Sequence, residues 1–319
     1  MGRYVLKRLY KGLITFFITI TLTFFILRLM PADPATLLMD PRMSEAHRQQ
    51  MLQEFGLDKP LIVQYFSFLK NLLKGELGIS FMQKRPVMDI IAEKLPWTLL
   101  LMITTQVTTM LIGIPLGIYS GYKRGTLFDQ IVNAVAIFGI SIFVPWLGFT
   151  LLYIFGYNLA ILPVGGAYTP GIEGGLKYFL DVGKHLILPL ITLMAIYLAN
   201  YVLYTRGSVI DVMSEDYIRT ARSKGMKERR VLWKHASKNA MVPTVTTAGL
   251  MIGRMVGGAV LTETVFAYPG VGRMIYQAVS QQDFPILQGA FIILALSVII
   301  MNIVTDVLCA YLDPRIKLN

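Results

Sequence analysis

The chain is poor in charged residues and in cysteine. Only 15% of its 319 residues are charged and 55% are hydrophobic, whereas a soluble globular domain is about one quarter charged. The mean hydropathy of +0.57 points the same way. These values exclude an ordinary soluble domain and indicate an integral membrane protein. Cys309 is the single cysteine, so no disulfide can form within the chain.

The sequence also lacks the motifs of nucleotide binding and catalysis. It has no GxxxxGK[ST] loop, since its only Gly-Lys pair, Gly183-Lys184, is followed by His185. It has no GxSxG nucleophile elbow. The three histidines are His47, His185 and His235. The membrane topology predicted from the charge distribution puts the first two outside the cell membrane and the third inside, so they cannot share a metal ion. We therefore expect no catalytic residue, no metal site and no cofactor on this chain, and any ATP-driven step must come from another polypeptide.

Long runs that are free or nearly free of charge predict six membrane-spanning helices. A bilayer core needs about 20 apolar residues per helix, and the alternating strands of a closed barrel are absent. The predicted spans are 12–27, 96–122, 131–157, 186–205, 241–263 and 285–310. Residues 1–11 form a separate N-terminal segment, and the rest, 12–319, forms one transmembrane domain without a soluble domain.

The net charge of +11 is distributed as a membrane topology signal and not as a nucleic-acid-binding surface. With the N-terminus inside, most Lys and Arg residues fall on the inner side, many of them in the loop 206–240. The two shorter outer loops carry only Lys177, Lys184 and Arg273, and the long outer loop 31–96 carries both signs equally. The positive-inside rule then places both termini in the cytoplasm.

The long outer loop contains a predicted amphipathic helix. Pro60 begins it, apolar residues recur along one face, and Gly75 ends it. Such a helix can lie on the membrane surface or pack on the outer mouth of its own protein. The sequence does not choose between these two positions.

A basic, helix-forming segment stands out between the fourth and fifth spans. In it Ser214 can cap a helix whose narrow apolar stripe is formed by Tyr217, Ile218 and Ala221, and Gly225 sits where the helix stops. A second helix is predicted over roughly 227–238. Taken alone, the positive charge of this segment could serve only to set the orientation of the chain in the membrane.

The pattern of this segment resembles the cytoplasmic coupling loop of ABC-importer permeases. The usual Glu-Ala-Ala, three residues, then Gly is represented by Arg219, Thr220, Ala221 and, after Lys224, Gly225. These departures match the YxRTARAKG form of the dipeptide, oligopeptide and nickel branch. Further segments resemble that branch in order and spacing: MPADPA at 30–35, GLDKPL at 56–61, GELGIS at 75–80, TETVFAYPG at 262–270 and LDPRI at 312–316.

The resemblance implies an all-α integral membrane protein with six transmembrane helices and a cytoplasmic coupling helix between the fourth and fifth, the type I ABC importer permease fold. The implied partners are a second homologous permease, two subunits that bind ATP and Mg, and an extracytoplasmic substrate-binding protein. The implied location is a bacterial or archaeal cell (inner) membrane. Short peptides are the expected substrate, with oligosaccharides or nickel as alternatives. An ATP-independent carrier or a membrane enzyme is the alternative from another class.

The resemblance also assigns the coupling role to residues of the basic segment, namely Tyr217, Ile218, Arg219, Thr220, Ala221, Lys224 and Gly225. Independently, ionisable residues inside membrane spans predict a pathway, a gate or a structural pair. These are Arg254, Glu263 and Asp306. Small residues at every fourth position predict close helix packing. They are Gly113, Gly117 and Gly121 in the second span, and Gly249, Gly253 and Gly257 in the fifth.

Overall fold

The computed structural model describes the backbone of residues 2–29, 58–172 and 174–312. Regular structure in these residues is helical, apart from one isolated bridge between Ile79 and Pro86. The first helices are α1 (Gly2–Leu29), α2 (Leu61–Leu73), α3 (Val87–Tyr122), α4 (Leu127–Ser141), α5 (Val144–Leu151) and α6 (Gly175–Met213). They are followed by α7 (Asp216–Ser223), α8 (Glu228–Arg230), α9 (Ser237–Val265), α10 (Val271–Gln281) and α11 (Phe284–Leu312). The segments Leu152–Asn158 and Val231–Ala236 are π-helical.

Four helices of the described chain are long and apolar enough to cross a membrane, and a bent pair raises the number to five. The four are Leu6–Leu29, Val87–Tyr122, Gly175–Met213 and Phe284–Val304. They contain the predicted first, second and fourth spans and residues 285–304 of the predicted sixth span. The predicted fifth span, 241–263, lies within α9, which is not among these helices. The all-helical membrane fold predicted from the sequence is thus confirmed.

The predicted third span, 131–157, is not one straight helix. The chain bends by 102° between Leu127–Ser141 and Val144–Asn158. Ile142 and Phe143 are extended at the break, and Pro145 lies in the first turn of α5. Proline favours this position because its missing N–H group needs no partner in the first turn of a helix. The predicted third span is therefore broken into two helices, and a single membrane crossing by this bent pair stays a prediction.

The core is built where α3, α6 and α9 meet. Its buried members include Leu101 of α3, Leu193 and Tyr201 of α6, and Met251 and Met255 of α9. The helix α6 has 39 residues, which corresponds to a length of about 58 Å at 1.5 Å per residue. It is therefore longer than the predicted span 186–205 and carries the chain beyond the membrane to the coupling segment.

The amphipathic helix of the predicted outer loop forms as expected and packs on α1. It runs from Leu61 to Leu73 after Pro60, and Gly75 follows it with φ +80°. The hydroxyl groups of Tyr65 and Thr21 are 2.7 Å apart. The Phe68 ring also stacks on the ring of Phe24. The helix α2 therefore contacts its own protein through aromatic residues.

Candidate functional site

The predicted coupling helix is α7, Asp216–Ser223, and its start differs by one residue from the prediction. Glu215 is the N-cap residue, with extended backbone angles. Ser214 instead ends the preceding helix α6, and its hydroxyl donates to the carbonyl of Asp211 at 2.6 Å. The predicted capping role of Ser214 for the coupling helix is therefore wrong. The first turn still carries Asp216, as suits the helix dipole.

The apolar stripe of α7 faces the interior of its own subunit. Ile218 is completely buried and Ala221 is 7% exposed, in the same buried cluster as Val231 and Leu232. Tyr217 is half exposed, and its hydroxyl accepts a 2.7 Å hydrogen bond from the amide of Asn239. The stripe therefore fixes α7 to the transmembrane domain and leaves its opposite face available.

The C-terminal end of α7 has the geometry of a Schellman cap. Gly225 has φ +72°, and its N–H donates to the carbonyl of Arg222 at 2.9 Å. The N–H of Met226 donates to the carbonyl of Ala221 at 3.4 Å. Both Ala221 and Met226 pack in the same cluster, which supplies the apolar contact that accompanies this motif. Glycine suits the left-handed conformation at the position that the sequence indicated.

The remaining residues of the coupling segment form an exposed, mainly basic surface. The side chains of Arg219 and Asp216 are 74% and 97% exposed, with 3.6 Å between Nη1 and Oδ1. Thr220 and Lys224 are also exposed. Arg222 holds Glu228 through bonds of 2.8 and 3.3 Å. The segment thus has a buried side that holds it and a charged side that can meet another protein.

The second helix predicted at 227–238 does not end there. A helical turn begins at Glu228, continues as the π-helical segment Val231–Ala236 and enters α9 at Ser237 without a break. Val231, Leu232 and Ala236 are buried in the cluster that contains Ile218. The coupling helix is thus packed on the N-terminal start of the helix that contains the fifth predicted span.

Arg254 lies on an exposed face of α9. Gly257 and Leu261 follow at helical spacing and are exposed on the same face. Within the described residues Arg254 has no ion pair, and its backbone carbonyl accepts a 2.9 Å bond from the Tyr197 hydroxyl. A charge at this depth needs a polar cavity or a partner. In the single subunit the Arg254 side chain is exposed, so either a polar cavity or a partner can surround it in the assembled protein.

Glu263 occupies a different environment and is completely buried. Its carboxylate accepts bonds from the Thr98 hydroxyl at 2.6 Å and from the backbone N–H of Arg273 at 3.1 Å. A Cβ atom on Gly270 would overlap that carboxylate, and one on Gly272 would lie 2.9 Å from it. Negative charge is favourable at the N-terminus of a helix. Glu263 thus joins α9 to α3 and to the start of α10.

The two glycine rows behave differently. A Cβ atom on Gly113 would come within 2.8 Å of Tyr201, and one on Gly117 within 2.7 Å of the Val202 carbonyl, so both lie against α6. In α9, a Cβ atom on Gly253 would reach only Val298, at 3.6 Å, and one on Gly257 would meet nothing within 4 Å. Gly249 is buried. Within the described residues, the predicted close helix contact at Gly257 is therefore not formed.

Asp306, the third predicted pathway residue, belongs to the backbone of α11, but its side chain lies outside the described residues. The motifs at 30–35 and 56–57 and the end of the LDPRI motif lie outside them as well.

Two buried carboxylates were missed by sequence reasoning. Asp283 accepts the Ser80 hydroxyl at 2.5 Å and the backbone N–H groups of Phe81 and Met82 at 3.2 and 3.1 Å. Asp129 pairs with Arg206. For Asp129, the only local signal was the Thr126-x-x-Asp129 spacing, which is typical of a helix start. The ion pair itself left no local signal, because Arg206 is remote from Asp129 in sequence.

The comparisons with known proteins agree with this architecture. Residues 113–318 match the family described as the binding-protein-dependent transport system inner membrane component, and residues 1–102 match its N-terminal family. The oligopeptide transport system permease protein AppB of Bacillus subtilis (strain 168) is 38% identical over 99% of this chain and 100% of its own length.

Two further relatives cover 99% of both chains. The glutathione transport system permease protein GsiC of Escherichia coli O6:H1 is 38% identical, and the dipeptide transport system permease protein DppB of Escherichia coli (strain K12) is 35% identical. Among solved structures, an inward-facing MetNI methionine ABC transporter matches with a TM-score of 0.58 and 14% identity, over 71% of this chain and 97% of that one. The chain therefore belongs to the family of binding-protein-dependent transport system inner membrane components, the permeases of ABC transporters.

Proposed function

We propose that the chain is the permease subunit of an ATP-driven importer of short peptides and forms half of the translocation pathway. The observation that carries the proposal is the construction of α7. Ile218 and Ala221 fix it to the membrane domain, Gly225 caps it, and its charged side remains exposed. Relatives named for oligopeptide, glutathione and dipeptide transport support the choice of substrate class.

In this proposal the chain itself is not catalytic. Two separate subunits bind ATP and Mg and dock on the coupling helices of this chain and of a second, homologous permease. An extracytoplasmic binding protein delivers the peptide to the outer side, where the loop 31–96 lies. Closure of the ATPase pair moves the coupling helices, and rotation of the helical domains switches the pathway between inward-facing and outward-facing states.

The proposed function also includes a defined orientation of the chain in the membrane. The protein is a multi-pass component of a bacterial or archaeal inner membrane, with both termini and the loop 206–240 in the cytoplasm. Residues 1–11 form the N-terminal segment and 12–319 the permease domain. The exposed face of α9, which carries Arg254, Gly257 and Leu261, lies towards the pathway and the second permease. Glu263 is a structural anchor of the outer end, because its carboxylate is already used within the subunit.

Purification of the tagged chain from its native membrane tests the proposal. We expect a second permease and two ATP-binding subunits to remain bound, and we expect mass spectrometry to find short peptides on the binding protein that the complex recognises. Recovery of the chain without any ATP-binding subunit would contradict the importer assignment. Recovery of the complete complex with a binding protein that carries nickel or an oligosaccharide would contradict only the substrate class.

A further inference from the structure

Asp129 forms the most extensively bonded carboxylate on the inner side of the described chain. It is 2% exposed. Arg206 binds it with two bonds, from Nε at 2.6 Å and from Nη2 at 2.9 Å. Ser120 and Asn133 donate to the same carboxylate from their side chains at 2.6 and 2.8 Å, and Gly125 donates from its backbone at 2.9 Å.

These partners come from different parts of the fold. Ser120 lies at the cytoplasmic end of α3, Gly125 in the turn that follows, and Asn133 in the second turn of α4. Arg206 belongs to α6, 77 residues away in sequence from Asp129. One buried carboxylate therefore connects the α3–α4 turn to α6, and we call these bonds the Asp129–Arg206 clamp.

The backbones also approach closely at the clamp. A Cβ atom on Gly117 would lie 3.2 Å from the Arg206 nitrogen, and one on Gly121 would lie 2.8 Å from the Arg206 carbonyl oxygen. Small residues allow helices in a membrane to pack at this distance. The clamp thus fixes a contact in which α3 and α6 have little freedom to slide.

The position of Arg206 gives this contact a second consequence. Beyond Arg206, α6 continues to Met213, a distance of about 10 Å at 1.5 Å per residue. The coupling helix α7 begins three residues later, at Asp216. Movement of α7 therefore reaches the membrane domain partly through the end of α6, where the clamp is the next ionic connection to other helices within the described residues.

We propose that Asp129 and Arg206 are positioning residues that transmit the movement of the coupling helix from α6 to α3 and α4. This inference rests on the proposed function, since it needs an ATPase that moves α7. With the clamp intact, the cytoplasmic end of α6 and the α3–α4 turn move as one body. Without it, the end of α6 bends locally, and ATP hydrolysis is no longer followed by rotation of the membrane helices.

The chemistry of the clamp favours this role over simple stabilisation. The Asp129 side chain is 3% exposed and that of Arg206 is 24% exposed. An ion pair with a buried charge adds little net stability compared with apolar residues of similar volume, because burial removes hydration. A bidentate arginine–carboxylate contact does fix a defined relative orientation of its two helices. Transmission of movement from one helix to another requires such a fixed relative orientation.

The test uses the complete transporter reconstituted in proteoliposomes with its binding protein and a labelled short peptide. Asp129→Asn removes the charge that pairs with Arg206, and Arg206→Lys keeps the charge but loses the bidentate geometry. Glu93→Gln is the matched control. It removes the carboxylate of an ion pair near the opposite end of α3, where Glu93 binds Arg85 and both side chains are about half exposed.

The measured quantity is the amount of peptide transported per ATP hydrolysed. We expect Asp129→Asn to lower this ratio about tenfold, within the range of typical coupling free energies, while the complex assembles and hydrolyses ATP. Arg206→Lys should lower it less, and Glu93→Gln should leave it unchanged. An unchanged ratio in both clamp variants would overturn the inference. If the Asp129→Asn complex does not assemble, the amount of peptide transported per ATP by Arg206→Lys decides the test: a lowered ratio supports the inference and an unchanged ratio overturns it.

A distance measurement separates transmission from general damage. Spin labels replace Arg124 in the α3–α4 turn and Asp211 near the end of α6, both exposed, in a background without Cys309. With the clamp intact, ATP binding should leave the distance between them unchanged, and with Asp129→Asn it should change the distance. Equal behaviour of both proteins would overturn the inference. Failure of the unmodified complex to use ATP for transport would instead overturn the proposed function, and the inference with it.

Discussion

The backbone of Gly225 offers the sharpest prediction about the coupling helix. Its φ of +72° lies in the left-handed region, and a Cβ atom at this position would meet nothing within 4 Å. A substitution there is therefore resisted by backbone conformation and not by lack of space. A residue with a Cβ atom costs about 1–2 kcal/mol in this region, which corresponds to roughly a 5- to 30-fold change in the equilibrium constant between the native loop and its alternative conformations.

We therefore expect a graded series of uptake rates. Gly225→Asn should remain close to wild type, because asparagine enters the left-handed region more readily than other residues. Gly225→Ala should lower ATP-dependent uptake, but less than Gly225→Val, because alanine accepts the left-handed conformation at a cost of about 1–2 kcal/mol. Gly225→Val should abolish it, since β-branched residues are the least tolerant. Each variant should insert into the membrane normally, because the change lies outside the spans.

The assay compares ATP-dependent peptide uptake at equal expression. The matched control is Gly183→Val in α6, a position that also has open space around a Cβ atom but whose φ is not in the left-handed region. It should transport at the wild-type rate. Normal uptake by Gly225→Val, or an equal loss in Gly225→Asn and Gly225→Val, would refute the conformational explanation.

Further predictions concern the core of the coupling segment, the topology and the exposed face of α9. Ala221→Asp, which puts an unpaired charge at a site with 7% exposure, should cost several kcal/mol and abolish uptake with insertion intact; wild-type uptake would contradict the buried placement. Without Cys309, a cysteine at Gln83 should react with an impermeant thiol reagent added outside, and one at Ser223, exposed on α7, only after permeabilisation; the reverse would overturn the topology. Arg254→Met should preserve assembly and basal ATPase activity but lower transport, whereas loss of assembly would indicate a structural partner.

The elements with a local signal could be predicted from the sequence. Charge-free runs marked the four helices that are long and apolar enough to cross a membrane, and Pro60 and Gly75 marked the boundaries of α2. The coupling helix was located by its apolar stripe and by Gly225, and only its first residue differed, because Ser214 bonds backwards to Asp211.

Features that depend on remote contacts could not be predicted. Pro145 marks a place where a helix can begin or kink, but the 102° bend at 142–143 lies inside an uncharged run, where hydropathy contains no signal for its size. Gly113 and Gly117 of α3 have the same spacing as Gly253 and Gly257 of α9, yet a Cβ atom on either of these α9 glycines would meet no atom of α6 within 4 Å. The bond between Asp129 and Arg206 joins positions 77 residues apart. No local pattern pairs two such residues.

The central claim is that this chain couples ATP hydrolysis in its partner subunits to the passage of short peptides. The most direct measurement is the accumulation of a labelled peptide in proteoliposomes that contain the purified complex, with the binding protein on the outer side and ATP supplied or withheld inside. We predict accumulation that requires both ATP and the binding protein and that is lost with Gly225→Val. Accumulation without ATP, driven by an ion gradient, would contradict the account.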